Sequence, residues 1–315
     1  MASWPIAASD EEQTARKARR RRAYVRWAAP AAYLVALALA ITFRGLPTSR
    51  DALFLWILLG LLAASLTNIR RWLRSVIVEW LPFGLILFAY DLLRGSADSI
   101  FAAHVEPQLH ADEVLFGGVV PTVWLQQRLW NGPDHLGWID WAAWAVYLTH
   151  FFGTLVVAAA LWLAGSRLFR PYVATVSVLA AAGFATYALF PAAPPWLASD
   201  KGALAPADRI VRFVSDAAPF DFFGAVWEQG ARYANDVAAV PSLHAAYALL
   251  ITFFLWPLVR RPWRILLAAY PLAMGFALVY TAEHYVVDVL LGWVYAVAAA
   301  VAVTAAARWY ARRRA

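Results

Sequence analysis

The chain is predicted to fold as an all-α polytopic integral membrane bundle of about eight transmembrane helices, with its N- and C-termini in the cytoplasm. Three observations carry this. Of the 315 residues, 63% are hydrophobic and only 15% charged, whereas soluble domains sit nearer half apolar and a quarter charged. Apolar runs approaching the ~17–25 residues needed to cross a hydrocarbon core recur along the whole chain. Basic residues fall in short clusters between those runs, which is the pattern that sets orientation in a bilayer.

The elements follow in order. Residues 1–26, "MASWPIAASDEEQTARKARRRRAYVR", are polar and then basic. They lack the small-residue cleavage site that closes a signal peptide, so they read as an uncleaved cytoplasmic tail, disordered to about Arg20. Three N-terminal spans are expected within 27–93, at 27–43, 53–67 and 75–93; the second is short and the third carries Glu79. Segment 94–140 alternates apolar or aromatic residues with polar ones, as helices lying on a membrane surface do. Residues 141–315 supply a five-helix core, with spans at 141–164, 172–190, 241–258, 265–282 and 285–307. Within it the loop 191–240 is rich in Pro, Asp and Arg, and long loops of this kind are often functional.

Charge orients the spans. The tail, "NIRRWLR", "GSRLFRP", "VRRPWR" and the final "RWYARRRA" hold 19 of the 27 Lys and Arg, but only three of the 20 acids, Asp10, Glu11 and Glu12. With those segments inside, 94–140 and 191–240 face outward, and the protein sits in the cell membrane. The net charge of +7 is therefore topological; no basic patch is interleaved with stacking aromatics, so a nucleic-acid partner is not expected. The chain has no cysteine, which excludes disulfides, thiolate metal sites and cysteine nucleophiles.

Two motifs then meet at one depth. "VPSLHAA" puts His244 at the outer end of the 241–258 span, and "HYVVD" puts His284 and Asp288 at the outer start of the 285–307 span. A spacing of i, i+4 sets the imidazole and carboxylate on one helical face. The carboxylate can then hold one ring nitrogen and leave the other as nucleophile or base. The residues alone leave other readings open. The His–Asp pair could be structural, or two histidines and a carboxylate could bind zinc or iron. A transporter or lipid flippase would use the same groups as a proton relay, and a scaffold subunit would not need them. The transporter reading predicts mid-membrane charges and an inverted repeat, neither of which is visible.

These motifs, together with "FPAAPPW" at Phe190–Trp196, resemble the type 2 phosphatidic acid phosphatase superfamily, and within it the branch containing inositol phosphorylceramide synthases. The resemblance runs from about Tyr172 to Leu291 and extends weakly back to "YDLLRGSAD" at Tyr90–Asp98. It implies a lipid phosphatase or head-group phosphotransferase that needs no metal or other cofactor. His284 would attack phosphorus, Asp288 would fix its tautomer, and His244 would protonate the leaving oxygen and then serve water or an acceptor hydroxyl as base. The substrate would be a membrane lipid phosphate, lipid pyrophosphate or phospholipid.

The chain also departs from the superfamily, whose phosphatases carry a Ser-Arg pair where this sequence has Ala277 and Leu278. The phosphate still needs cationic partners. Arg94, Arg128, Lys201, Arg209, Arg212 and Arg232 are the outer candidates, with Arg94 and Arg232 favoured, Tyr90 and Asp91 orienting Arg94, and Ser242 adding a hydroxyl at a helix start. His104 and His110 are expected to be interfacial, and His135 and His150 carry no comparable context.

Overall fold

The computed structural model describes residues 10–44, 50–94, 103–218 and 236–314. Arg232 lies outside the described residues, and so do the side chains of Tyr90, Asp91 and Arg94. Regular structure among the described residues is helical. The only strand-like pairings there are isolated bridges joining His104 to Ala192 and Ala192 to Ala238.

Helix α1 (Asp10–Arg44) begins far ahead of the first apolar run. Its Ala, Arg, Glu and Gln residues are strong helix formers, so residues expected to be a disordered tail are helical from Asp10 onward. Helix α2 (Arg50–Ser65) leads through a short 3-10 turn into α3 (Ile69–Ser75). The third expected span then starts as a π-helical turn, Val76–Trp80, and continues as α4 (Leu81–Arg94). That turn faces Trp80 fully into the core.

The outer segment forms two short helices, α5 (Glu106–Leu115) and α6 (Pro121–Leu129). Four longer helices make the body of the core with the short one that carries His244. They are α7 (Trp138–Leu163), α8 (Phe169–Leu189), α11 (Leu243–Leu255), α12 (Arg264–Tyr280) and α13 (Val286–Arg312). Between α8 and α11 lie α9 (Pro195–Asp200) and α10 (Ile210–Ala217).

Among the described residues, five helical stretches are long and apolar enough to cross a membrane: Tyr24–Phe43, Trp138–Leu163, Phe169–Leu189, Arg261–Tyr280 and Val286–Arg312. Ala52–Asn68 and Leu243–Leu255 are shorter apolar helices. Large apolar side chains such as Leu266, Leu272, Val294 and Val301 point outward and are exposed. Water would penalise such a surface, and a lipid surround would not.

Two apolar clusters hold the helices together. One joins α2, α4, α7, α8, α11 and α13 through Leu61, Phe83, Leu155, Leu179, Leu250 and Ala296. The other joins α7, α10, α11, α12 and α13 through Trp144, Val211, Ala248, Leu278 and Val289. Helix α11 belongs to both, and α13 packs closely along it. Small residues make that approach possible: a Cβ built on Gly292 of α13 would stand 2.2 Å from the Ser242 carbonyl oxygen.

Candidate active site

Each histidine is delivered by a specific local device. Pro241 and Ser242 end the preceding loop, and the Ser242 hydroxyl caps α11 by accepting from the Ala245 N–H at 3.3 Å. That starts the helix at residue 243 and puts His244 in its first turn. The Pro241 carbonyl accepts from the buried Tyr187 hydroxyl at 2.7 Å, which ties this corner to α8. His284 arrives differently. Helix α12 ends in a Schellman arrangement: Glu283 N–H donates to Leu278 O at 3.0 Å, and Ala282 N–H to Val279 O at 3.3 Å. Ala282 takes the left-handed conformation this requires, with φ of 62°. The reversal points His284 back over the bundle, two residues before α13 begins.

The outcome is one compact group. His284 Nε2 faces His244 Nδ1 at 3.4 Å. On the other side of its ring, His284 Nδ1 lies 3.4 Å from Asp288 Oδ2. This is ion-pair range and not a formed hydrogen bond; the same oxygen accepts from the Tyr285 N–H at 2.9 Å. His284 and Asp288 are almost wholly buried. The i, i+4 pairing and the meeting of the two motifs therefore hold in three dimensions. A rigid carboxylate on one nitrogen and a second imidazole on the other is an arrangement able to hold, donate and accept protons around a single electrophilic centre.

Three further groups surround the pair. His150 of α7 brings its ring centroid within 3.8 Å of that of His244, and Tyr147, one turn earlier, stacks on His244 at 5.1 Å. No sequence signal marked His150, since a single histidine within an apolar helix has no local pattern. Arg209, from the loop before α10, is a cation that reaches the neighbour of His284. Its guanidinium grips Glu283, the neighbour of His284, through Nε at 2.7 Å and Nη2 at 3.1 Å. It also lies over the Trp196 ring, 4.4 Å from the centroid. Burial opposes the charge of Arg209, but Glu283 outweighs it and holds the guanidinium protonated above its ordinary range.

The other candidate cations with described side chains are exposed. Arg128 is exposed and folds over Trp124, Arg212 faces Asp216 at 4.0 Å, and Lys201 is exposed. Ser242 is fully buried, with its hydroxyl committed to the helix cap. Ala277 and Leu278, the positions where the resemblance implies Ser-Arg, are buried core residues. His110 is exposed beside Glu113, as an interfacial residue would be, and His104 stacks on Phe190 at 4.3 Å. That stacking belongs to the scaffold under "FPAAPPW": His104 N–H donates to Pro191 O, Ala193 N–H to His104 O, and Ala192 N–H to Val237 O. The proline-rich element is thus a seam joining the outer segment to the approach to α11.

Asp112 is the least expected member. This fully buried residue of α5 accepts from the Val286 N–H at 3.0 Å and the Val287 N–H at 2.9 Å. Its carboxylate satisfies amides that the start of α13 leaves without intrahelical partners. Burial raises its carboxyl to about 6, with the two amides lowering it and Asp288 raising it further. A folded value above the unfolded 3.8 means the folded protein gains a proton first as pH falls. The associated stability is complete below about pH 4 and is lost as pH rises through about 6. Melting temperatures of the parent across pH 4–7 should carry this downward contribution, and Asp112→Asn should flatten it.

The residues that converge here lie within a region similar to known proteins. A family model described as the PAP2 superfamily matches residues 118–302. The chain is also 28% identical over 233 residues to the phosphoinositol dihydroceramide synthase of Bacteroides thetaiotaomicron, covering 70% of this chain and 73% of that protein. No solved structure matches.

Proposed function

The chain belongs to the PAP2 superfamily, and from that premise we propose that it transfers a phosphorylated head group from a membrane phospholipid to a lipid hydroxyl through a phosphohistidine. The observation that carries this is the approach of His284 Nε2 to His244 Nδ1 at 3.4 Å, with Asp288 behind the first ring. His284 Nε2 attacks phosphorus while the bond to the lipid leaving oxygen breaks, and His244 gives that oxygen its proton. An acceptor hydroxyl then loses its proton to His244 and attacks phosphorus, the N–P bond breaks, and His284 is restored. Asp288 stabilises the positive charge that the His284 ring carries in between.

No metal is required by this chemistry, and the arginine distribution favours an active site on the extracytoplasmic face. The name of the Bacteroides relative suggests phosphoinositol as the group transferred and a dihydroceramide as acceptor. The test is incubation of purified protein with phosphatidylinositol and fluorescent dihydroceramide, with and without chelator. Labelled phosphoinositol dihydroceramide and diacylglycerol should form in equal amounts in both. Release of water-soluble inositol phosphate without labelled product means hydrolysis instead, and loss of turnover with chelator means a metal enzyme.

Arg209 is proposed as the cation that meets the phosphate, since it already reaches the residue beside His284. Its paired fork suits phosphate oxygens better than a lysine does. Arg209→Lys should therefore lower kcat/KM by roughly 10–100-fold, and Arg209→Gln by more. Steady-state kinetics against donor-lipid concentration read the difference.

A further inference from the structure

A second polar site lies at the far end of the bundle. Along α7, at 1.5 Å per residue, it is roughly 20 Å beyond His150, where α7 ends and α8 begins. A cavity of about 560 Å³ opens there, lined by Arg74, Ser75, Trp162, Ser166, Arg167 and Arg170. This is within the ~300–1,000 Å³ usual for small-molecule sites.

Its interior is organised. Glu79, from the π-helical turn and only 17% exposed, accepts from Arg170 Nε at 2.8 Å. Glu79 also accepts from the Ser75 hydroxyl, which in turn accepts from the Trp162 indole N–H. This chain of bonds locks α3, α7 and α8 around the cavity. The single carboxylate is therefore occupied, while three guanidinium groups line the same wall. Arg74 and Arg167 have no carboxylate partner among the described residues. Helix α8, 21 residues long, starts at Phe169 on the cavity wall, so the positive end of its dipole adds to the field. A concave site with this surplus of positive charge between helix ends in a membrane protein matches the chemistry of a phosphate group.

We propose that this cavity binds the phosphate of an anionic phospholipid head group from the leaflet opposite the histidine site. It is separate from the catalytic chemistry and occupied by a lipid that is not consumed. Arg74 and Arg167 grip the phosphate, Ser166 adds a hydroxyl, and Trp162 forms the amphipathic edge. Arg170 stays with Glu79 as the fixed part of the wall.

Thermal unfolding of the detergent-purified protein, followed by tryptophan fluorescence, tests the proposal. The additions are phosphatidylglycerol, phosphatidylcholine and inorganic phosphate. Phosphatidylglycerol should raise the melting temperature by roughly 2–4 °C, and equally in His284→Ala. Phosphatidylcholine should not, and the double variant Arg74→Gln/Arg167→Gln should lose the rise. Both arginines are exposed, so the double variant should fold with the parent's basal melting temperature and turnover. If inorganic phosphate alone reproduces the rise, the site takes the free anion; if only the lipid does, it takes the head group in the leaflet. The proposal fails if no addition stabilises the parent, if phosphatidylcholine serves as well, if the double variant keeps the rise, or if His284→Ala loses it.

Discussion

Replacing His284 with alanine should lower turnover by at least ~10³-fold and leave the fold intact. Loss of an enzymatic nucleophile commonly costs far more than loss of a positioning contact, reaching ~10⁶ where it has been measured. His284 is nearly buried and its ring sits between Asp288 and His244, so alanine removes the nucleophile and leaves the carboxylate facing a small void. Rapid quenching with donor lipid labelled in the phosphate should trap label on the parent protein, lost in acid and kept in alkali, as phosphoramidates behave. The same quench of His284→Ala should trap none. Asp288→Asn should fall between the two, since it keeps a group in place but no longer balances the charge on the ring. Full turnover by His284→Ala, or label surviving on it, sinks the phosphohistidine.

The second large effect is expected from a residue that touches no reacting atom. Gly292→Ala would press its methyl to 2.2 Å from the Ser242 carbonyl oxygen and 3.1 Å from the carbonyl carbon. Both atoms are backbone, so no rotamer change relieves the clash, and α11 must move away by roughly 1 Å to reach ordinary contact. That movement breaks the hydrogen bond from Ser242 N–H to Asp288 O, now 3.0 Å, and carries His244 away from His284. Overpacking of this kind costs about 1–3 kcal/mol, and a 1 Å misplacement can cost ~10² in rate. Gly183→Ala is the matched control, because the nearest atoms its methyl would meet are side-chain and not backbone, the Leu243 Cδ atoms at 2.9 Å and Cγ at 3.1 Å. Assayed well below the melting temperature, Gly292→Ala should lose most of its kcat while Gly183→Ala keeps most of its own. Equal behaviour of the two would show that the close backbone contact does not set the His244–His284 distance.

Much of this was legible in the sequence, for reasons that differ between elements. The core helices were legible because apolar runs of spanning length are a local property. The pairing of His284 with Asp288 was legible from their four-residue separation, although His284 stands two residues ahead of α13 and only Asp288 lies on the helix. The meeting of His244 and His284 could be read from charge, since both motifs stand at the start of spans that the charge pattern runs in the same direction. The sequence did not single out Arg209 among the candidate cations. Arg94 and Arg232 looked favourable beside helix ends, whereas Arg209 stood in a proline-rich loop with nothing local to mark it. It pairs with Glu283, 74 residues later. Asp112 resembled its neighbours Glu106 and Glu113, and only the docking of α5 against α13 selects it, across a separation of 174 residues.

The sequence by itself determined that the chain is a helical membrane protein, which ends of its helices share a face, and which two histidines and one carboxylate meet there. Those properties follow from hydropathy, charge and helical periodicity, all set within a few turns of chain. Only the tertiary structure decided that Arg209 reaches the neighbour of His284, that His150 packs against His244, that Asp112 caps α13, and that Gly292 lies against the Ser242 backbone where α11 and α13 approach. Each of these depends on which surfaces of distant helices and loops come into contact, and side-chain packing across the bundle fixes that at distances no local pattern encodes.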